Sequence, residues 1–168
     1  MIGKTLLTMA AFSALSVSTA SASDPAGERT FGDWKVACAA NAPCQAYLGL
    51  KDAKTGKLAL SASAHKRPDD ANPTLVITVP LGVDLKAGAA FVAGAAGKTP
   101  IAATIDVCFP DGCRVVLDLA PSTLNSLAAA KSFDVRFAAY GAADRVESVS
   151  VPSNGLKDAI AYLSAKKK

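Results

Sequence analysis

The sequence predicts an all-β fold: a mostly antiparallel β-sandwich with one short internal helix and a C-terminal amphipathic helix. Three observations predict it. Between residues 31 and 151, short runs of alternating or β-branched apolar residues are separated by Gly, Pro, Asn and Asp, which is the punctuation of strands and turns. Two of those turns carry a cysteine on each side, Cys38 with Cys44 and Cys108 with Cys113. A sustained helical period closes the chain. The 168 residues suit one domain, since a chain near this length buries close to ~70% of its unfolded surface and forms a core without help from cross-links. A closed barrel is the main alternative architecture.

The first segment is set apart from the fold. Lys4 gives a positive start, an apolar run follows to Val17, and Ala20 and Ala22 offer the small residues that a signal peptidase needs, so residues 1–22 are expected to be a secretory signal peptide. The run is broken by Thr8, Ser13, Ser16, Ser18 and Thr19 and falls short of the roughly 20 apolar residues of a membrane span. Neighbouring cysteines, which a lipid anchor would need, are absent from the cleavage region. Residues 23–30 are expected to form a free N-terminal arm, and residues 31–168 a single β-sandwich domain.

Within that domain the elements follow in order. "DWKVAC" and "CQAYLGL" flank the first cysteine turn as a hairpin. In "TGKLALSASAH", Leu58, Leu60, Ala62 and Ala64 alternate with Lys57, Ala59, Ser61 and Ser63, the period of a strand with one buried face, closed by His65. The polar loop "KRPDDANP" leads into "TLVITVP", a β-branched run that ends at Pro80 and is the firmest strand of the set. The Gly/Ala-rich stretch 81–100 has room for one short strand around Phe91 and Val92, or for a loop. "IAATIDVC" and "CRVVLDL" form a second cysteine hairpin. "PSTLNSLAAAK" carries the internal helix, with Ser122 as its expected N-cap. "FDVRFAAY", with Phe133, Val135, Phe137 and Ala139 on one face, and "RVESVSV" are strands joined at Gly141. Leu156, Ala159, Ile160 and Leu163 then recur at i, i+3, i+4, i+7 behind Ser153 and Asn154, both able to cap.

Four cysteines in an exported chain allow three connectivities. The turn residues Pro110, Asp111 and Gly112 favour Cys108 paired with Cys113, and the enclosed stretch 39–43 favours Cys38 with Cys44. Chain entropy argues the other way, because short loops contribute on the order of 2 kcal/mol each and a bridge between the two clusters would constrain more chain. The local pairs remain the expectation, since short loops close readily. A redox couple would carry Cys-x-x-Cys at a helix N-terminus, and neither pair has that spacing. A zinc site has wider spacings than a zinc ribbon to contend with and only His65 to add. No cofactor or metal is expected.

The net charge of +4 resides largely in the leader's Lys4 and in Lys166, Lys167 and Lys168, which leaves the body near neutral. Nucleic-acid binding therefore has no support. The lysine tail allows weak contact with a membrane surface and otherwise forms a solvated terminus. Trp34, beside Cys38, is expected to be structural core packed on a disulfide. His65 with Asp69, Asp70 or Ser61 would make a catalytic set only if the fold brought them together. "GAAGK" around Gly97 and Lys98 lacks the full phosphate-loop pattern.

Several elements in order resemble the invasion-associated locus B family of exported bacterial proteins. They are "FGDWKVAC" with Phe31, Gly32, Asp33, Trp34 and Cys38, then Cys44, "VPLGVDL" at 79–85, and "CFPDGCRVVLDL" at 108–119. Gly155 and Leu156 stand where the family has Gly-Phe. The resemblance implies a periplasmic, secreted or outer-surface protein without a settled enzymatic activity, carries over the four cysteines as disulfide positions and Trp34 as a structural signature, and supplies no catalytic residue. The expected function is a non-enzymatic binding or interaction module for an envelope or host-surface component. The alternatives are an exported enzyme built around His65 and a structural protein that holds a membrane surface with its C-terminal helix and lysine tail.

Overall fold

A computed structural model describes residues 27–39, 42–51, 56, 58–94 and 99–165. The leader, residues 23–26 of the arm, residues 95–98 of the "GAAGK" stretch and the three terminal lysines lie outside the described residues. Ten strands and two helices occur among them: β1 (Glu28–Phe31), β2 (Trp34–Ala37), β3 (Gln45–Lys51), β4 (Leu58–His65), β5 (Thr74–Val79), β6 (Ala89–Ala93), β7 (Ile101–Phe109), β8 (Gly112–Asp118), α1 (Pro121–Ala128), β9 (Ser132–Ala139), β10 (Ala142–Pro152) and α2 (Leu156–Ala165). The fold is all-β and antiparallel with two helices. Strand order is β1-β2-β3-β4-β5-β8-β7-β6-β9-β10.

β7 is the corner of this arrangement. Its first residues pair with β6, as in Ala103 opposite Ala89, and the rest pair with β8, from Thr104 opposite Val116 to Phe109 opposite Gly112. The strand thus belongs to two sheets, one holding β1–β5 and β8, the other β6, β9 and β10. Both sheets feed a single core, in which Leu75, Ile77 and Val115 from the first join Phe91, Phe133 and Val135 from the second, all at most 1% exposed. The alternation read from the sequence is visible here: Leu60, Ala62 and Ala64 of β4 are buried while Ser61, Ser63 and His65 are only half-buried, the outcome of a period of two on a sheet with one wet face.

The helices cover the interior on one side. α2 packs on β1, β2, β3 and β4, and α1 packs on β6, β9 and α2. Leu156, Ala159, Ile160 and Leu163 of α2 are all buried, so the apolar stripe of this helix is used within the fold.

Three local expectations are corrected. Residues 28–30 are not free arm: they belong to β1, which pairs with β2 from Glu28 opposite Ala37 to Phe31 opposite Trp34. Side chains hold the strand there, because the Glu28 carboxylate accepts from Lys35 Nζ at 2.8 Å and from the Tyr47 hydroxyl. Ser122 does not cap α1, which begins at Pro121 after Ala120 with no side-chain cap; proline's fixed φ suits the first helical position. Ser153 is buried and its hydroxyl donates to Leu127 O at 2.8 Å, so it ties α2's entry to α1's end.

Candidate functional site

The β9–β10 hairpin runs between two contrasting ends of the molecule. At one end the chain is locked. Trp34 is fully buried and its Nε1 donates to Pro152 O at 2.9 Å, Asp33 N donates to Asn154 O at 3.1 Å, and Ser153 N donates to Lys131 O at 3.0 Å. Gly155, at φ +83°, lies so close to the first hairpin that a Cβ would stand 1.8 Å from Phe31 O. Only glycine fits, both for its backbone angle and for space.

The other end is open. Past Pro80 the chain runs beside the end of β9: Val83 bridges Ala139, Tyr140 N donates to Gly82 O at 2.8 Å, and Asp84 N donates to Ala138 O at 2.9 Å. The Asp84 carboxylate then closes a turn by accepting from Lys86 N and Ala87 N. The β7–β8 tip leans on the same segment, since a Cβ at Gly112 would meet Val79 O at 2.4 Å. These contacts gather side chains that are remote in sequence. Leu81 (57% exposed) and Tyr140 (80%) stand on these joined segments and Phe109 (50%) on the β7–β8 tip; with Leu85, Val107 and Val146 they are the exposed large apolar side chains among the described residues. A hollow of about 250 Å³ lies at this end, lined by Leu60, Ser61, Thr78, Pro80, Leu81 and Pro110 among others.

The tip is stiffened from within. Cys108 and Cys113 stand directly opposite in the β7–β8 ladder and are joined as a disulfide. Arg114 stacks over the Phe109 ring at 5.2 Å and its Nη2 donates to Asp111 Oδ2 at 2.7 Å. That guanidinium contact holds the Asp111 carboxyl below the usual carboxylate range. A cluster of exposed apolar side chains on a braced hairpin can do one thing chemically: cover an apolar surface of another molecule.

The other residues named from the sequence are placed as follows. Cys38 and Cys44 are joined as a disulfide across the β2–β3 turn, half-buried against the core. His65 closes β4 between Gln45 and Thr74. Ser61 is four residues back on the same face, roughly 13 Å away at strand rise, and Asp70 pairs with Arg67 at 3.0 Å. The Arg67 hydrogen bond, and after it the nearby His65, hold the Asp70 carboxyl below the usual range, but Ser61 does not join them, and His65 lines neither this hollow nor a second cleft of about 680 Å³ between α1 and α2. That second cleft carries Asp33, Lys131, Lys157 and Asp158, charges of both signs that leave it without a bias. No group of three or more metal-ligating side chains occurs among the described residues, and no described helix is long and apolar enough to cross a membrane.

Sequence reasoning missed the open end, because its residues are spread from 81 to 140 and only the topology collects them. A signal was nevertheless present: Leu81 lies between Pro80 and Gly82, Phe109 precedes Pro110, and Tyr140 precedes Gly141. A large apolar residue beside a turn former has no strand neighbour to bury it.

Fold and site together define a disulfide-stapled all-β protein with a locked core and an apolar tip, of the kind built for an oxidising compartment. The family model described as invasion associated locus B (IalB) protein matches residues 34–164, and the chain belongs to that family. Among solved structures, a crystal structure of invasion associated protein B from Bartonella henselae superposes with a TM-score of 0.71 at 23% identity, covering 82% of this chain and 96% of that one; at this identity the likeness is one of fold. No curated protein sequence matches.

Proposed function

We propose that this chain is a non-enzymatic interaction protein of the bacterial periplasm or outer surface, which docks an apolar surface of a protein partner with its open end. The observation that carries the proposal is the exposure of Leu81, Phe109 and Tyr140 on segments that the Val83–Ala139 bridge, the Tyr140–Gly82 hydrogen bond and the close approach of Gly112 to Val79 join. Fully burying a side chain of this kind contributes about 1.5–3 kcal/mol relative to full exposure, and Leu81, Phe109 and Tyr140, each at least half exposed, are the type of aromatic and aliphatic anchors that carry binding at protein contacts. The signal-like residues 1–22, the two disulfides and the family support export, and the reference to invasion in the names of the family and of the Bartonella henselae protein fits a partner in the envelope or on a host surface. The reading built on His65 loses its support, since Asp70 stands near it but Ser61, the nucleophile it would need, does not. The membrane-surface reading loses its helix, since α2's apolar face is spent in the core; the tail Lys166, Lys167 and Lys168 is left to it.

The test is a triple variant, Leu81→Ser with Phe109→Ser and Tyr140→Ser, expressed in the native host and compared with the unaltered chain by chemical crosslinking in intact cells. Loss of one specific crosslinked partner, with the variant still exported and folded, is the expected outcome. An unchanged set of crosslinks would overturn the proposal.

A further inference from the structure

The two disulfides present their sulfurs to solvent in different ways. Cys108 is exposed, flanked by exposed Val107 and Phe109, whereas its partner Cys113 is 1% exposed and belongs to the core cluster with Val115 and Leu117. In the other bridge, Cys38 and Cys44 are alike, both half-buried and both packed on the core. The environment of the first bridge is thus one-sided, and the chemistry of exchange is sensitive to that. A thiolate attacks a disulfide sulfur in line with the bond, opposite the leaving sulfur. Cys108 is exposed on a part of β7 whose ladder partner is β8, so its side away from Cys113 faces solvent. On the side of Cys113 away from Cys108 stands Val79 of β5, and both are 1% exposed, so the packed sheet covers that approach.

We propose that Cys108 is a thiol-capture site, a modification site on the open end at which an external thiol, carried by a small molecule or by a protein, is held as a mixed disulfide. In the step, the attacking thiolate forms a new bond to Cys108 Sγ while the Cys108–Cys113 bond breaks. The electron pair leaves on Cys113 Sγ, which takes up the proton that the attacking thiol has lost. The external sulfur and Cys108 end as the oxidised pair, and Cys113 ends as a buried thiol. Return attack by Cys113 releases the captured thiol and restores the bridge, so the site is reversible.

The fold tolerates the opened state. β8 keeps its ladder to β5 on one side, from Thr74 opposite Asp118 to Val79 opposite Cys113, and its ladder to β7 on the other. The Arg114 contacts to Asp111 and Phe109 also remain. Reduction therefore loosens the tip without unfolding the sheet. This inference goes beyond the docking proposal and stands on different observations.

The experiment treats the native protein with excess reduced glutathione at mildly alkaline pH, quenches with acid and an alkylating agent at intervals, and maps the peptides by mass. A second arm uses a short unstructured peptide with one cysteine. The expected result is glutathione on Cys108 with alkylated Cys113, at least tenfold over the reverse arrangement, while Cys38–Cys44 is still intact and the far-ultraviolet circular dichroism is unchanged. Adducts in both arms assign the site to thiols of either size, and adducts from glutathione alone restrict it to small ones; either result supports the proposal. Adducts on Cys113 in equal amount, opening of Cys38–Cys44 at the same rate, or a Cys108–Cys113 bridge that stays closed would each overturn it.

Discussion

The two ends of the β9–β10 hairpin solve opposite problems with similar materials. Each joins distant parts of the chain by backbone hydrogen bonds, and each places a glycine where a Cβ has no room: Gly155 against Phe31 O at one end, Gly112 against Val79 O at the other. The difference lies in where the aromatic side chains go. Trp34 is driven inward and its one polar atom is satisfied by Pro152 O, while Phe109 and Tyr140 are left outside. Close backbone packing is thus used once to seal a core and once to hold apolar groups out of it. Exposing them brings no benefit to folding, so their rigid presentation argues for a use outside the fold.

Substitutions at the locked end should break the protein, and those at the open end should spare it. Gly155→Ala is expected to be the most damaging, with a loss of about 4 kcal/mol or more, because it combines a steric clash with a positive φ; denaturant titration or failure to recover soluble protein checks this. Trp34→Ala should cost about 3–5 kcal/mol by leaving a large cavity and an unpaired Pro152 carbonyl. Removing either disulfide by paired Cys→Ser changes should cost about 2 kcal/mol, as expected for such short loops, read as a shift of the denaturation midpoint. By contrast, Leu81→Ser and Tyr140→Ser should each change stability by less than about 0.5 kcal/mol, and Phe109→Ser, which loses the Arg114 stack, by about 1 kcal/mol at most. Equal sensitivity at the two ends would dissolve the comparison.

The smallest expected effect is one of pH and is confined to the open end. Asp111 has its folded-state carboxyl held below the usual range, first by the hydrogen bond from Arg114. A depressed folded value means that the contribution is present above the unfolded carboxylate pKa and is lost as pH falls through the folded one. The Asp111–Arg114 contact should therefore persist from neutrality to about pH 4 and fade below it. Nuclear magnetic resonance of the Phe109 ring and Asp111 amide against pH would show a local change, with Trp34 unaffected in the same range.

How far the sequence reveals this molecule depends on how local each cause is. The period of two in "LALSASAH" and the β-branched run "TLVITV" report burial on one face, and both are strands with the expected side inward. Leu156, Ala159, Ile160 and Leu163 announce α2 by spacing alone. β1 was hidden, because "ERTF" has little apolar content and forms a strand only through pairing with β2 and the contacts of Glu28 with Lys35 and Tyr47. The buried role of Ser153 was hidden for a similar reason: its partner is the Leu127 carbonyl, 26 residues away in sequence. The open end was the least legible, since no window of sequence contains Leu81, Phe109 and Tyr140 together.

The central claim, that partners meet the open end and not the locked one, is tested most directly by site-specific photo-crosslinking in cells. A photoreactive residue placed at Phe109 is compared with one at Lys157, which is also exposed but lies beside Asn154 and Gly155. The account predicts a discrete crosslinked species from position 109 and none from position 157. The same species from both positions, or from 157 alone, would contradict it.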